Sequence, residues 1–300
     1  MRVHAALVFS MLFICSACAS SPMAEVQALS GTKALEFTRA QVEFGPRPPG
    51  SEALEKCRDY LIRQLEGFGY GVELDTFEAQ TPYGIKRMVN LIARKGKGEG
   101  AAIALASHYD TKYMEGKRFV GANDGGSSTG LLLELARVLA PRKDKLDYWF
   151  VFLDGEEAFI EWSTLDSTYG SRHLARKWKN EGIVPRIRAF ILLDMIGDRD
   201  LTLLREAHST AWLRAMALEA AAKAGLGDIF SRYEAAIEDD HIPFLDAGIP
   251  SLDLIDLDYG PGNTYWHTES DTLDKLSPES LEKAGRLVLT LLQLLQQKFG

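Results

Sequence analysis

Residues 147–159 read DYWFVFLDGEEAF. The run from Tyr148 to Leu153 is apolar at every position, so a strand built from it has no face for water. Such a strand lies inside a sheet covered on both sides, the habit of parallel sheets. Directly after it come Asp154, Gly155 and two adjacent carboxylates, Glu156 and Glu157. Neighbouring like charges repel and are costly to desolvate. Beside a cation they become stable, with one carboxylate binding a metal while the other handles a proton. Taken alone, the pair is most simply a solvated loop, and other segments must decide.

Working outward, apolar strands alternate with helical patterns. Ala102–Ala106, Ala189–Leu193 and Ser251–Ile255 are further buried strands. Thr32–Phe44, Ser51–Phe68, Ser127–Leu139, Tyr169–Asn180 and Ser209–Ala224 read as helices. Ser51 is the expected N-cap of the second, after the turn GPRPPG at 45–50. Ser277 caps a last helix with Pro278 at its first position, and Leu281, Ala284, Leu287, Val288, Leu291 and Leu295 fall on one face. Val72–Glu78 and Arg87–Ala93 flank a Thr-Pro-Tyr-Gly turn as a hairpin. The alternation predicts an α/β fold, a doubly wound, mostly parallel central sheet flanked by helices. There is no internal repeat and no linker, so residues 32–300 form a single domain.

The 300 residues carry a net charge of −8 without a basic run, a poor match to nucleic acid. At the start, Arg2 and His4 precede an apolar stretch, Ala5–Ile14, too short to span a bilayer. Small residues follow, so residues 1–19 read as a secretory leader and residues 20–31 as a flexible stretch. Two processing sites fit. Ala17-Cys18-Ala19 suits cleavage after Ala19; Ser16-Ala17-Cys18 is similar to a bacterial lipoprotein box, with Cys15 where that box has Leu. The first gives an exported periplasmic chain, the second an envelope chain attached to the membrane through acylated Cys18. Cys57 then stands alone on a helical pattern as a core residue, with no partner for a disulfide.

Ligands in open α/β sheets bind beyond the carboxyl ends of the strands. There, Ala102–Ala106 leads to Ser107-His108-Tyr109-Asp110, the 148–153 run to Glu156 and Glu157, and Ala189–Leu193 to Asp194. Ser251–Ile255 leads through a Gly-rich loop to Trp266-His267, and Asp124 precedes the helix after the first strand. Singly, each has a plain structural role: His108 a hydrogen-bonded core histidine, Asp124 a helix cap, Asp194 a turn cap, His267 surface packing. Jointly they bring imidazole and carboxylate to one rim. A donor set without cysteine points to zinc before other divalent metals. His108-x-Asp110 also fits a ligand whose ring is oriented by a carboxylate behind it.

The order His-x-Asp, Asn-Asp-Gly, Glu-Glu, Asp, His resembles the zinc-dependent aminopeptidase family. Longer matches are similar to its glutaminyl-peptide cyclotransferases: SHYDTK at 107–112, DGEEAF with Trp162 after it, DSTYGSRHLA at 166–175, LLDMIGD at 192–198, EDDHIPFLDAGIP at 238–250 and WHTESDTLDKL at 266–276. The resemblance implies one zinc per chain on Asp124, Glu157 and His267, with Glu156 as acid/base. It also implies a carboxylate network of Asp194 and Asp239, and pocket walls from Trp162 and Trp266. GANDGGSSTG is nearer the general aminopeptidase pattern, and DYGPGNTY before Trp266 lacks a bulky apolar residue; both departures bear on substrate preference.

The reaction so implied is cyclisation of an N-terminal glutamine of a peptide or protein to pyroglutamate, with release of ammonia. The rival is a di-zinc aminopeptidase, for which His108, Asp124, Glu157, Asp194 and His267 supply all five ligand positions, His108 being the second-site candidate. Retention of Glu156 and every ligand argues against a binding lipoprotein with a dead site.

Overall fold

The computed structural model describes residues 28–95 and 100–300; the expected leader, Cys15, Cys18 and residues 20–27 lie outside the described residues. The strands of the main sheet are β1 (Gly71–Thr81), β2 (Gly84–Arg94), β3 (Ala102–His108), β4 (Asp147–Leu153), β5 (Ile187–Asp194) and, later in the chain, β8 (Ser251–Ile255). Between the last two come β6 (Leu203–Glu206) and β7 (Phe230–Ala235), which pair in parallel as a separate two-stranded ribbon. The six strands of the main sheet lie in the order β1-β2-β4-β3-β5-β8. The four from β4 to β8 run parallel, and the β1–β2 hairpin joins antiparallel at the β4 edge.

Seven helices surround these strands among the described residues: α1 (Gly31–Val42), α2 (Glu52–Gly67), α3 (Gly126–Leu139), α4 (Tyr169–Asn180), α5 (Ala211–Lys223), α6 (His241–Asp246) and α7 (Pro278–Phe299). Ser51 and Ser277 cap α2 and α7 as expected. The first helix begins at Gly31, one residue early, with Ser30 as its cap, and Leu29 is already buried. Asp124 does not cap α3, whose N-cap is Gly125 and has no side-chain cap. No helix among the described residues is long and apolar enough to cross a membrane.

The strand period of two divides the core. Leu105, Phe150, Phe152, Ile191, Leu193 and Leu254 face the layer of α2, α3, α5 and α7, where Leu61, Leu132, Ala217, Leu287 and Leu291 complete the packing. Ala104, Ala106, Trp149, Val151 and Leu192 face the other layer, against Leu174 and Trp178 of α4 and Phe244 of α6. Each fully buried large side chain contributes roughly 1.5–3 kcal/mol. Cys57 sits in the first layer, buried, and burial pushes its thiol up to about 11. Because β3 leads to β4 on one side while β5 leads to β8 on the other, the sheet reverses between β3 and β5. A crevice opens at such a switch point, and the strands end there in His108 and Asp194.

The turn at 45–50 holds a fully buried cation. The Arg47 guanidinium donates to the carbonyls of Val120 (2.9 Å), Gly45 (3.1 Å), Gly121 (3.3 Å), Gln41 (3.3 Å) and Tyr109 (3.4 Å). It ties together the loops that carry Asp110 and Asp124.

Candidate active site

At the switch point His108 Nε2 lies 3.2 Å from Asp194 Oδ1 and 3.2 Å from Asp124 Oδ1. On its other side Nδ1 is 3.5 Å from Asp110 Oδ1 and 3.9 Å from Glu156 Oε2. A second imidazole, His267, places Nε2 3.3 Å from both Asp124 Oδ2 and Glu157 Oε2. The donor atoms therefore make two clusters of metal-binding spacing, His108–Asp124–Asp194 and Asp124–Glu157–His267, and Asp124 belongs to both. Asp124 Oδ2 and both carboxylate oxygens of Glu157 are buried without a hydrogen bond. A buried, unbonded carboxylate is costly unless a cation serves it, so the donors fit a metal.

The surrounding charge tells the same story. Burial lowers His108, but Glu156, Asp110, Asp124 and Asp194 outweigh it and raise the ring well above its usual range. Burial also lowers His267, yet Glu157 and Asp124 bring it up to about 10. Burial raises Glu156 well above the ordinary carboxylate range; His108 opposes this, and the charges of Glu157, Asp239 and Asp240 add to it. Asp194 is raised by burial and by Asp124, and Asp239 well above the usual range by burial, Asp194 and Asp240. So many carboxylates at one point require protons or a cation to neutralise them.

The backbone around the site is held in costly shapes. Gly155 has φ +74°, and a Cβ there would stand 2.6 Å from Met88 Sδ, so only glycine turns the chain from β4 into Glu156. Met195, after Asp194, and His267 both adopt positive φ (50° and 51°), conformations that non-glycine residues hold only when their surroundings demand it. Those surroundings are specific. Asp110 accepts the backbone N–H groups of Glu156 and Glu157. Asp271 accepts those of Asn123 (2.7 Å) and Asp124 (3.1 Å), and also the Tyr259 hydroxyl (2.8 Å). The His267 ring stacks on Trp266 with centroids 4.3 Å apart.

Asp124, Glu156, Glu157, Asp194, Asp239, Trp162, Trp266 and His267 all line one cavity of about 350 Å³. His108 and Asp110 adjoin it, so every candidate site residue named from the sequence is brought to this place. Lys112 also lines it, with Nζ donating to the Ala158 carbonyl (2.9 Å) and lying 3.6 Å from Glu157 Oε2. Sequence reading missed Asp271 and Glu206. Buried Glu206 accepts from the backbone N–H of Ser209 (2.6 Å), His208 (2.8 Å) and Ile237 (3.1 Å) and from the Ser209 hydroxyl (2.8 Å). It also lies 3.2 Å from His241 Nε2. One carboxylate thus grips the segment 237–241 at both ends, with Asp239 between. Nothing in the local sequence around Glu206 signals this, because its partners are mostly backbone amides.

The profile of peptidase family M28 matches residues 90–292. A glutaminyl-peptide cyclotransferase of Drosophila melanogaster is 35% identical over 252 residues, 75% of this chain and 70% of that one. Among solved structures, a glutaminyl cyclase from an Acidobacteriales bacterium superposes with a TM-score of 0.86 at 42% identity, over 90% of this chain and 96% of that one. A structure described as a leucine aminopeptidase precursor, from Bacteroides thetaiotaomicron, superposes with a TM-score of 0.79 at 29% identity, covering 89% and 97%.

Proposed function

Because the chain belongs to peptidase family M28 and, within it, to the glutaminyl cyclases, we propose that it is a glutaminyl-peptide cyclotransferase that converts an N-terminal glutamine to pyroglutamate and releases ammonia. The observation that carries this reading is the sharing of one cavity by Glu156, the Asp124–Glu157–His267 donor cluster and two indoles, Trp162 and Trp266.

The substrate's α-amine is the nucleophile and its γ-carbonyl the electrophile, so the chain must fold the glutamine back on itself and keep water away. Orienting the two groups supplies on the order of 7–11 kcal/mol at best. Trp162 and Trp266 wall the cavity and restrict the side chain to bent conformers. Zinc on Asp124, Glu157 and His267, when bound, would polarise the γ-carbonyl and stabilise the charge developing on its oxygen. Glu156, raised above the ordinary carboxylate range by its burial, is suited to take a proton from the amine and return it to departing ammonia. Asp194 and Asp239 hold the protons and hydrogen bonds around that exchange. Residues 1–19 enter this reading as a leader, so the chain acts outside the cytoplasm, free in the periplasm or anchored through Cys18.

A second reading has a specific basis. Asp124 also belongs to the His108–Asp124–Asp194 cluster, and one similar structure is described as an aminopeptidase precursor. Two metals on a shared aspartate would suit hydrolysis of the first peptide bond. Ammonia release from a glutamine-initiated peptide, set beside amino-acid release from a leucine-initiated one, separates the two readings. Ammonia alone supports the cyclotransferase; free leucine without ammonia supports the peptidase.

A further inference from the structure

A second cavity adjoins the reaction cavity at Trp162. This neighbour, of about 370 Å³, shares Trp162, Glu238 and Asp239 with the first. Its floor is apolar, formed by Ala175, Ile242, Pro243 and Ala247. Along one rim run Arg172, Arg176 and Lys179, spaced to lie on one face of α4. Exposed cations on a helix are ordinary. These differ in lining a concavity that also has apolar walls and shares Trp162, Glu238 and Asp239 with the site of chemistry.

Arg172 is already engaged. Its guanidinium donates to the carbonyls of Thr164 (2.5 Å), Ser167 (2.7 Å) and Thr168 (3.3 Å), which fixes the loop following Trp162. Arg176 and Lys179 are exposed, and neither side chain has a hydrogen bond or ion pair with another described residue. The acids of this cavity lie elsewhere: Asp239 is buried toward the reaction cavity, Glu238 is at the junction and Asp246 is on the α6 rim. The cations of this lining thus come from α4, and its acids from residues 238–246.

We propose that this groove is the subsite for the peptide beyond its N-terminal glutamine, and that the α4 rim selects a carboxylate at the third or fourth residue. The inference rests on the cyclotransferase reading above. An extended chain advances about 3.5 Å per residue. With glutamine in the first cavity, the second residue passes over the Trp162 indole and the next two enter the groove. There an aspartate or glutamate side chain, or the C-terminal carboxylate of a short peptide, meets Arg176 and Lys179.

The test compares kcat/KM, read as ammonia release, for wild type and the double variant R176E/K179E. Within each protein, Gln-Ala-Glu-Ala-amide and Gln-Ala-Ala-Glu-amide, their lysine counterparts, uncharged Gln-Ala-Ala-Ala-amide and Gln-Ala-Ala with a free carboxylate are each measured against Gln-Ala-amide. Wild type should favour the glutamate over the lysine peptide, at the third or the fourth residue, about fivefold at low salt, with the preference shrinking as salt screens it. The double variant should reverse it. A preference confined to the free-carboxylate peptide, and lost in the variant, also supports the subsite and identifies the C-terminus as its ligand. A glutamate-to-lysine ratio equal in both proteins at both positions, with no effect at the free carboxylate, overturns the proposal while leaving the cyclotransferase reading intact. Failure of wild type to release ammonia even from Gln-Ala-amide overturns that reading, and the subsite with it.

Discussion

Asp110 and Glu156 meet through the backbone: Asp110 Oδ1 accepts the Glu156 N–H at 3.2 Å, and Oδ2 of the same carboxylate accepts the Glu157 N–H at 3.4 Å. The same Oδ1 stands 3.5 Å from His108 Nδ1. One side chain from the end of β3 therefore sets the register of the Glu-Glu pair after β4 and the orientation of an imidazole. Asparagine offers only one acceptor and would turn an amide N–H against a backbone N–H. Asp110→Asn should lower kcat/KM by about 10–100-fold with the far-ultraviolet circular dichroism unchanged. Near-normal turnover would show that this carboxylate does not organise the site.

Glu156→Gln separates proton transfer from metal binding. The amide is close in shape but cannot take up a proton and give it back, so kcat should fall by about 10²–10⁴ while metal content, read by elemental analysis, stays at the wild-type value. Glu157→Gln, Asp124→Ala and His267→Ala should each lower that content instead. A ligand variant with undiminished metal, or a Glu156→Gln protein that loses it, would contradict these assignments.

Arg47 illustrates what stabilises the loops around the site. Arg47→Ala leaves the carbonyls of Gln41, Gly45, Tyr109, Val120 and Gly121 without this buried donor. The expected cost is about 3–5 kcal/mol, a melting temperature lower by roughly 10 °C. Lysine, a single point donor, should recover little of it. A shift of only a degree or two in Arg47→Ala would refute the account of this residue.

Glu206 gives a pH signature. Burial raises its carboxyl, but His241 and the N–H and hydroxyl donors around it prevail and hold it down at about 2. The folded value lies below the unfolded one of about 4.3. Its stabilising contribution is thus complete above about pH 4.3 and is lost as pH falls through about 2. The melting-temperature difference between wild type and Glu206→Gln should be largest near neutrality and shrink across that window. Asp75, also held at about 2, titrates alike in both proteins and cancels in the difference. A difference constant from pH 6 to pH 2 would contradict the assignment.

Legibility followed the physics of each segment. Residues 148–153 had to be a buried strand because no position tolerates water, and the polar residues after it had to lie at the sheet's end. That logic located His108, Glu156, Glu157 and Asp194. His267 lies at the end of a long loop after β8, so its spacing from the strand carried less, and the family resemblance supplied its role. The ribbon of β6 and β7 went unread because Leu203–Glu206 is short and Phe230–Ala235 is largely exposed. Helix α6 was hidden by its length and by Pro243. Arg47, Glu206 and Asp271 act on backbone groups far along the chain, and a one-dimensional pattern carries no trace of such contacts.

The most direct test of the central claim is the mass of the product formed from a peptide that begins with glutamine. Attack of the α-amine on the peptide's own side-chain carbonyl predicts an intact peptide about 17 mass units lighter, the loss of ammonia. A peptide shortened by its first residue, with free amino acid in solution, would contradict the cyclotransferase account and make the chain a peptidase.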